Sequence, residues 1–455
     1  MAQSMASLAL PTPPSWYPGH MRQFMRNLPA YLSRTDVVLE LRDARLPLTS
    51  INTTFEGALR KWQHERWKLA QAFSTSRQQS SANRGPSLHG HSSLVCERII
   101  VMNKRDLVPD WGIEPYKRAI AGKFSGQQTI FASWNRPRDV KSLHETIVNI
   151  AKENAHVSNE LNVLVVGMPN VGKSTLLNAL RNMGIPGPTP KALRTSASPG
   201  LTRALSTRLK LSQDPLVYSF DSPGVMLPFL GKGTLGAERG IKLALIAGIR
   251  EGLYADETLA EYLLYRLNLL NPATPAYLSI FPPGTPPTDD VPDFLDMLAC
   301  RLHMLKRGGE CDTERAAAWF IRWWREEGCA LSANAPLLGQ LLPGPPESGQ
   351  ASESADSAFP HQASGAQSGG WGFDFQWKLS AADLASVDTS DGGAQLVQRE
   401  MERVIDEFTE RVESEIKEGE NVSATQQKKR DKEEKQAKRE RRVQEMLARR
   451  RSGKG

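Results

Sequence analysis

Residues 163–175 read VLVVGMPNVGKST. The segment satisfies G-x-x-x-x-G-K-[ST], and its flanks supply the context that pattern needs. LNVLVV at 161–166 predicts a buried strand, and TLLNAL at 175–180 predicts the start of a helix. Gly167 and Gly172 let the backbone curl so that successive N–H groups face phosphate oxygens, and the following helix N-terminus favours negative charge. Lys173 is placed to reach β- and γ-phosphates and Ser174 to ligate Mg²⁺, while Asn170, Val171 and Thr175 complete the loop around them.

Working outward, YSFDSPG at 218–224 is a strand ending in D-x-x-G: Asp221 can hold Mg²⁺ through a water, and the Gly224 amide can meet a γ-phosphate. Between the two, SPGLTRAL at 198–205 offers Thr202 as a Mg²⁺-sensing switch residue beside a flexible Gly200. Upstream, VMNKRDLV at 101–108 supplies base selection. The Asp106 carboxylate can accept from guanine N1–H and the exocyclic amine, a pair that adenine does not present. Asn103 meets the other edge of the base and Lys104 lies along its ring. The nucleotide is therefore GTP. A remaining guanine-contacting loop is expected after the next strand, QTIFAS at 128–133, near Ala132 and Ser133, where the sequence match is poor. In an ordinary small GTPase the phosphate loop precedes the base reader. Here the base reader comes first, so the chain is circularly permuted, with the cut just after D-x-x-G.

The rest of the chain fits that reading. Short β-branched strands, DVVLELR at 36–42 and RIIVMN at 98–103, alternate with helical segments, which predicts an α/β fold with a mostly parallel sheet over residues 1–225. Residues 74–93 have almost no apolar content and are expected to be a disordered insertion. Four helical periodicities, GAERGIKLALIAGIREG, DETLAEYLLYRLNLL, DVPDFLDMLACRLHML and DTERAAAWFIRWWREEG, predict an all-α domain over 226–342. Residues 343–395, rich in Pro, Gly, Ser and Ala, are expected to be a disordered linker, and 396–455 a charged, basic helical tail. From Lys428 onward thirteen Lys or Arg face five acids, which suits either rRNA phosphates or a solvated helix. In WFIRWW, Phe320, Trp323 and Trp324 beside Arg322 and Arg325 either bury in the helical core, the favoured reading, or stack on RNA bases.

Composition narrows the class. The 455 residues carry a formal charge of +7, which suits an anionic partner. Cys96, Cys300, Cys311 and Cys329 show no C-x-x-C spacing, which argues against zinc and suits a reducing compartment. Apolar runs such as LALIAGI at 243–249 are far short of the roughly 20 residues of a membrane span, so no integral membrane segment is expected. The first acid is Asp36, so the N-terminus has the acid-free, arginine-bearing composition of a mitochondrial transit segment.

These motifs together resemble the YlqF/RbgA-type ribosome-assembly GTPases, most closely their eukaryotic mitochondrial branch. The resemblance runs from WYPGHM at 16–21 through DARLPLTSIN at 43–52, NKRDL, GMPNVGKST, SPGLT and DSPGV to GIKLALIAGIR and AAAWFIRWW. The insertion and the long tail depart from a compact bacterial member. The resemblance implies GTP hydrolysis with GTP and Mg²⁺ bound. It implies the mitochondrial large ribosomal subunit, rRNA and proteins, as partner, and the matrix as location, with peripheral association with the inner membrane as a further expectation. It also implies a catalytic role for His20 and a potassium site at Asn170. Those two matter because Val225 stands after Gly224 where many GTPases carry a water-orienting glutamine. Two rivals remain: a nucleolar or cytosolic large-subunit factor, and a membrane-peripheral, GTP-regulated adaptor whose basic tail binds anionic lipid.

Overall fold

The computed structural model describes residues 9–14, 16–80, 95–124, 127–156, 158–187, 193, 208–332, 367–379, 392–417 and the single residues 428, 432, 436 and 439. Thr202, residues 81–93 of the expected insertion, residues 343–366 and most of the basic tail lie outside them. Residues 74–80 of that insertion continue a helix.

Strands β1 (Val37–Asp43), β2 (Glu97–Asn103), β3 (Gln128–Phe131), β4 (Glu160–Gly167), β5 (Leu209–Ser212) and β6 (Leu216–Asp221) form one sheet in the order β3-β2-β1-β4-β6-β5. All neighbours are parallel except β5 and β6. β1 is buried along its whole length, as a central strand covered on both faces must be. That burial includes charge: Glu40 accepts from Arg42 (2.6 Å) and Arg98 (2.5 Å), and Glu56 accepts from the same two guanidiniums, so no buried ion is left unpaired there. Helices α1 (Gly19–Leu32), α2 (Thr53–Ser80), α3 (Ile113–Lys123), α4 (Pro137–Glu153) and α5 (Lys173–Gly184) cover the sheet. Permutation is visible in the order: the phosphate-loop strand β4 sits at the sheet centre but fourth along the chain.

After β6 the chain runs through buried residues 221–226 into a helical unit of α6 (Gly233–Leu245), α7 (Asp256–Leu270), α8 (Val291–Arg301) and α9 (Thr313–Trp323). A π turn, Trp324–Gly328, carries α9 into α10 (Cys329–Ser332). Phe320 packs on Phe294 (ring centroids 4.7 Å) and stacks on Trp323, and Trp324 is fully buried. Phe320, Trp323 and Trp324 are core, and their burial leaves them no open ring face for RNA.

The segment expected to be a disordered linker contains a hairpin, β7 (Gln367–Trp371) and β8 (Phe375–Leu379), followed by α11 (Gly392–Lys417). Trp371, Phe373, Phe375, Trp377 and Leu379 are all buried. Their spacing of two is a strand signature inside a Gly-rich composition, and composition alone conceals it. With Leu396, Val397, Met401 and Ile405 of α11, Trp371, Phe375, Trp377 and Leu379 complete a second core over α3, β2 and β3, where Trp371 stacks on Tyr116 at 5.4 Å, while Phe373 joins the main core. The hairpin turn reaches further. Asp374 accepts from the Leu48 and Thr49 amides (2.9 and 2.7 Å) in the loop after β1, and Phe373 O accepts from Arg266 of α7 (2.7 Å). One turn thus fastens the sheet to the helical unit.

Candidate nucleotide site

The phosphate loop leaves β4 at Gly167 and enters α5 at Lys173. Gly172 has φ of 91°, and a Cβ there would fall 2.5 Å from Trp134 Nε1 and 2.8 Å from Asn103 Nδ2. Only glycine allows that approach. Gly224, the last residue of D-x-x-G, lies so close to the loop that a Cβ would meet Pro169 Cα at 2.6 Å.

Lys173 is buried, and its ammonium donates to Met168 O (2.7 Å) and Gly167 O (3.3 Å). Burial lowers its pKa to about 8, against the pull of Asp221. Two neutral carbonyls orient this cation without neutralising it, which is the environment that anionic phosphate oxygens fit. Ser174 Oγ donates to Asp221 Oδ2 at 2.6 Å, so the hydroxyl and carboxylate expected at Mg²⁺ converge. Burial raises the Asp221 pKa while Ser174 and Lys173 oppose it; this oxygen pair suits a hard divalent cation. Thr175 follows in the first turn of α5.

Strand β2, which ends at Asn103, is tied to this loop directly. Asn103 Nδ2 donates to Val171 O at 2.7 Å. Lys104 takes a left-handed φ of 64° and opens the short 3-10 turn Arg105–Leu107 that carries Asp106. Burial and Arg45 lower the Lys104 pKa to about 8. The loop after β3 lies alongside, since Arg105 N donates to Ala132 O (3.2 Å) and Ser133 N to Asp139 (2.9 Å). Its side chains at the site are Trp134, against Gly172, and Asn135, whose amide donates to Asp106 Oδ2 at 3.2 Å. Sequence reading placed this loop near Ala132 and Ser133 but missed Trp134 and Asn135. Position after the next strand was their one available signal.

Val225 N donates to Gly167 O (3.1 Å), Val225 O accepts from Asn52 (3.2 Å), and its side chain is fully buried. It packs rather than facing a nucleotide. Asn170, at φ of 58°, donates from Nδ2 to Ala247 O (2.9 Å) just beyond α6, so the phosphate loop touches the helical unit. His20 begins α1. Residues 33–36 join α1 to β1, which parallels β4. The preceding segment crosses α6, where a Cβ on Gly240 would meet Pro13 at 3.1 Å.

Residues 162–264 match the family described as 50S ribosome-binding GTPase. Mitochondrial GTPase 1 of Schizosaccharomyces japonicus is 31% identical over 330 residues, 68% of this chain and 87% of that protein. The chain belongs to the mitochondrial GTPase 1 family. A second member, Mitochondrial ribosome-associated GTPase 1 of Xenopus tropicalis, is 30% identical over 259 residues, 56% of this chain and 70% of the relative. Among solved structures, GNP-bound YlqF from T. maritima aligns over 68% of this chain and 95% of its own, at 19% identity and a TM-score of 0.39. As a member of the mitochondrial GTPase 1 family, the chain is a mitochondrial, circularly permuted GTPase.

Proposed function

We propose that this GTPase is an assembly factor of the mitochondrial large ribosomal subunit, needed for mitochondrial translation, that docks with GTP and leaves after hydrolysis. The observation that carries this reading is the continuity from the phosphate sensor to the helical unit. Asp221–Met226 is buried against the phosphate loop and runs straight on toward α6, and Asn170 of that loop bonds Ala247 at the end of α6. A γ-phosphate that orders D-x-x-G therefore acts on a covalently attached body, whose orientation sets what it can dock. The name of the Xenopus relative supports a ribosomal partner.

In this reading Asn103, Lys104 and Asp106 select guanine. Gly167, Asn170, Val171, Gly172, Lys173, Ser174, Thr175 and Gly224 hold the phosphates. Ser174 and Asp221, with Thr202, would hold Mg²⁺, which supplies charge neutralisation to the phosphates. Val225 is packed away, so water orientation falls to another group, and His20 of the WYPGHM segment is the candidate the family resemblance implies. Potassium near Asn170 is a second source of charge. Among the described residues no helix is long and apolar enough to cross a membrane. Sedimentation with purified large subunits tests the function: co-migration with a non-hydrolysable GTP analogue and release with GDP is expected. Equal binding in both states, or binding to anionic vesicles instead, would overturn it.

A further inference from the structure

α8 and α9 are joined by residues 302–312, which fold back on themselves. His303 takes a φ of 54°, and Met304 N returns to Ala299 O at 2.8 Å. Leu305 bridges Cys311, Lys306 N donates to Glu310 O (2.8 Å) and Asp312 N to Met304 O (2.8 Å). Asp312 then caps α9 by accepting from Arg315 N at 3.2 Å. Backbone bonds on every side thus fix the turn, and they bring two thiols together: Cys300 Sγ and Cys311 Sγ are 2.8 Å apart. Cys300 is exposed and Cys311 half-buried at the edge of the core, in contrast to Cys329, which is buried. The hydrogen bond with Cys300, followed by burial, raises the Cys311 thiol to about 11. Cys311 therefore keeps its proton until its neighbour reacts, and Cys300 is the sulfur a small oxidant meets first.

We infer that Cys300 and Cys311 are a redox site that closes reversibly to a disulfide, with glutathione disulfide as the oxidant. The Cys300 thiolate attacks one sulfur of glutathione disulfide, forming a mixed disulfide and expelling a glutathione thiolate. Cys311, deprotonated as it attacks, then takes the Cys300 sulfur and expels the second glutathione thiolate. The two thiol protons go to the two leaving thiolates. The cysteines lose two electrons and glutathione disulfide gains them. Closure pins the end of α8 to the start of α9 and fixes the tip between them, which exposes Arg301, His303, Lys306 and Arg307 together. The disulfide thus adds a covalent tie beneath a cationic tip that the backbone bonds already shape.

Full-length protein equilibrated in buffers of stepped glutathione to glutathione-disulfide ratio, alkylated, digested and read by mass spectrometry tests the site. The expected result is a linked peptide pair joining Cys300 and Cys311, with both thiols disappearing at the same ratio and reappearing on addition of excess glutathione. Cys96 and Cys329 should stay alkylatable once the protein is denatured. Cys311→Ser should stop the reaction at a lasting Cys300–glutathione adduct, and Cys300→Ser should yield no linked pair. Full alkylation of both wild-type thiols in the most oxidising buffer, or a stable wild-type Cys300–glutathione adduct, would overturn the inference.

Discussion

At the scale of single residues, Lys173 gives the sharpest prediction. Its ammonium is held by two carbonyls and titrates at about 8 in the free protein. Phosphate oxygens favour the charged form, so the pKa rises on binding and a proton is taken up at any pH between the free and bound values. GTP affinity should hold steady below pH 8 and fall above it, by up to about tenfold per pH unit. Calorimetry in buffers of different protonation heat checks this, and an affinity unchanged to pH 9.5 would refute it. Lys104 also titrates at about 8, and Lys104→Met separates its contribution. Asp106→Asn swaps one acceptor for a donor facing guanine's own donors, which should narrow GTP-over-ATP preference on the order of 30-fold, about 2 kcal/mol. Competition binding measures it; an unchanged preference would end the base-reading assignment. The places of Lys173 in the loop and Asp106 beside it were legible because nucleotide motifs set residue types at fixed spacing. Trp134 and Asn135 were not, because a loop that reaches the site through the fold needs no particular sequence around it.

At the scale of elements, the hairpin turn is where stability should respond. Asp374 accepts from two backbone amides and from Thr49 Oγ1 (2.5 Å), and Lys242 Nζ stands 3.6 Å away. Asp374→Ala leaves those amides without their acceptor, at a cost of about 2–3 kcal/mol. An unfolding free energy from urea titration lowered by less than about 0.5 kcal/mol would show that the turn is not holding the two bodies together. Removing everything beyond residue 391 takes away Leu396, Val397, Met401 and Ile405, and should expose the apolar face beneath them to a fluorescent hydrophobic dye. Stopping after residue 417 should spare that face and leave GTP affinity intact. Particle binding of that shortened protein should be weaker, most of all at low salt, if the basic tail meets phosphates. The strands of the sheet were readable because central parallel strands are continuous apolar runs. β7 and β8 were hidden because two glycines and a polar linker composition mask an aromatic alternation.

At the scale of the molecule, permutation and hydrolysis meet. The order of base reader and phosphate loop was readable outright, and the strand order β3-β2-β1-β4-β6-β5 gives it a physical form. What the sequence could not give is how the helical unit sits, because that depends on single contacts such as Asn170 with Ala247 and Asp374 with Leu48. Intrinsic GTP hydrolysis should be slow, since Val225 is buried, and large subunits should stimulate it strongly. His20→Ala should lose most of the stimulation with nucleotide affinity near wild type, because a water-orienting contact counts only near the transition state. Single-turnover rates in potassium and in sodium separate the two candidates. Full stimulation of His20→Ala removes the histidine, and indifference to the cation removes a potassium site at Asn170.

The bond from Leu48 to Asp374 spans 326 residues of chain. A polypeptide made from its N-terminus has every strand of the sheet in hand by residue 221, yet Ile100, Met102, Tyr116 and Phe131 stay uncovered until residues 371–405 emerge. At ordinary synthesis speeds that interval is roughly ten seconds or more. For this time the nascent protein carries a finished nucleotide loop on one side and a bare apolar wall on the other. A holdase that recognises such walls has a defined window, and α11 closes it.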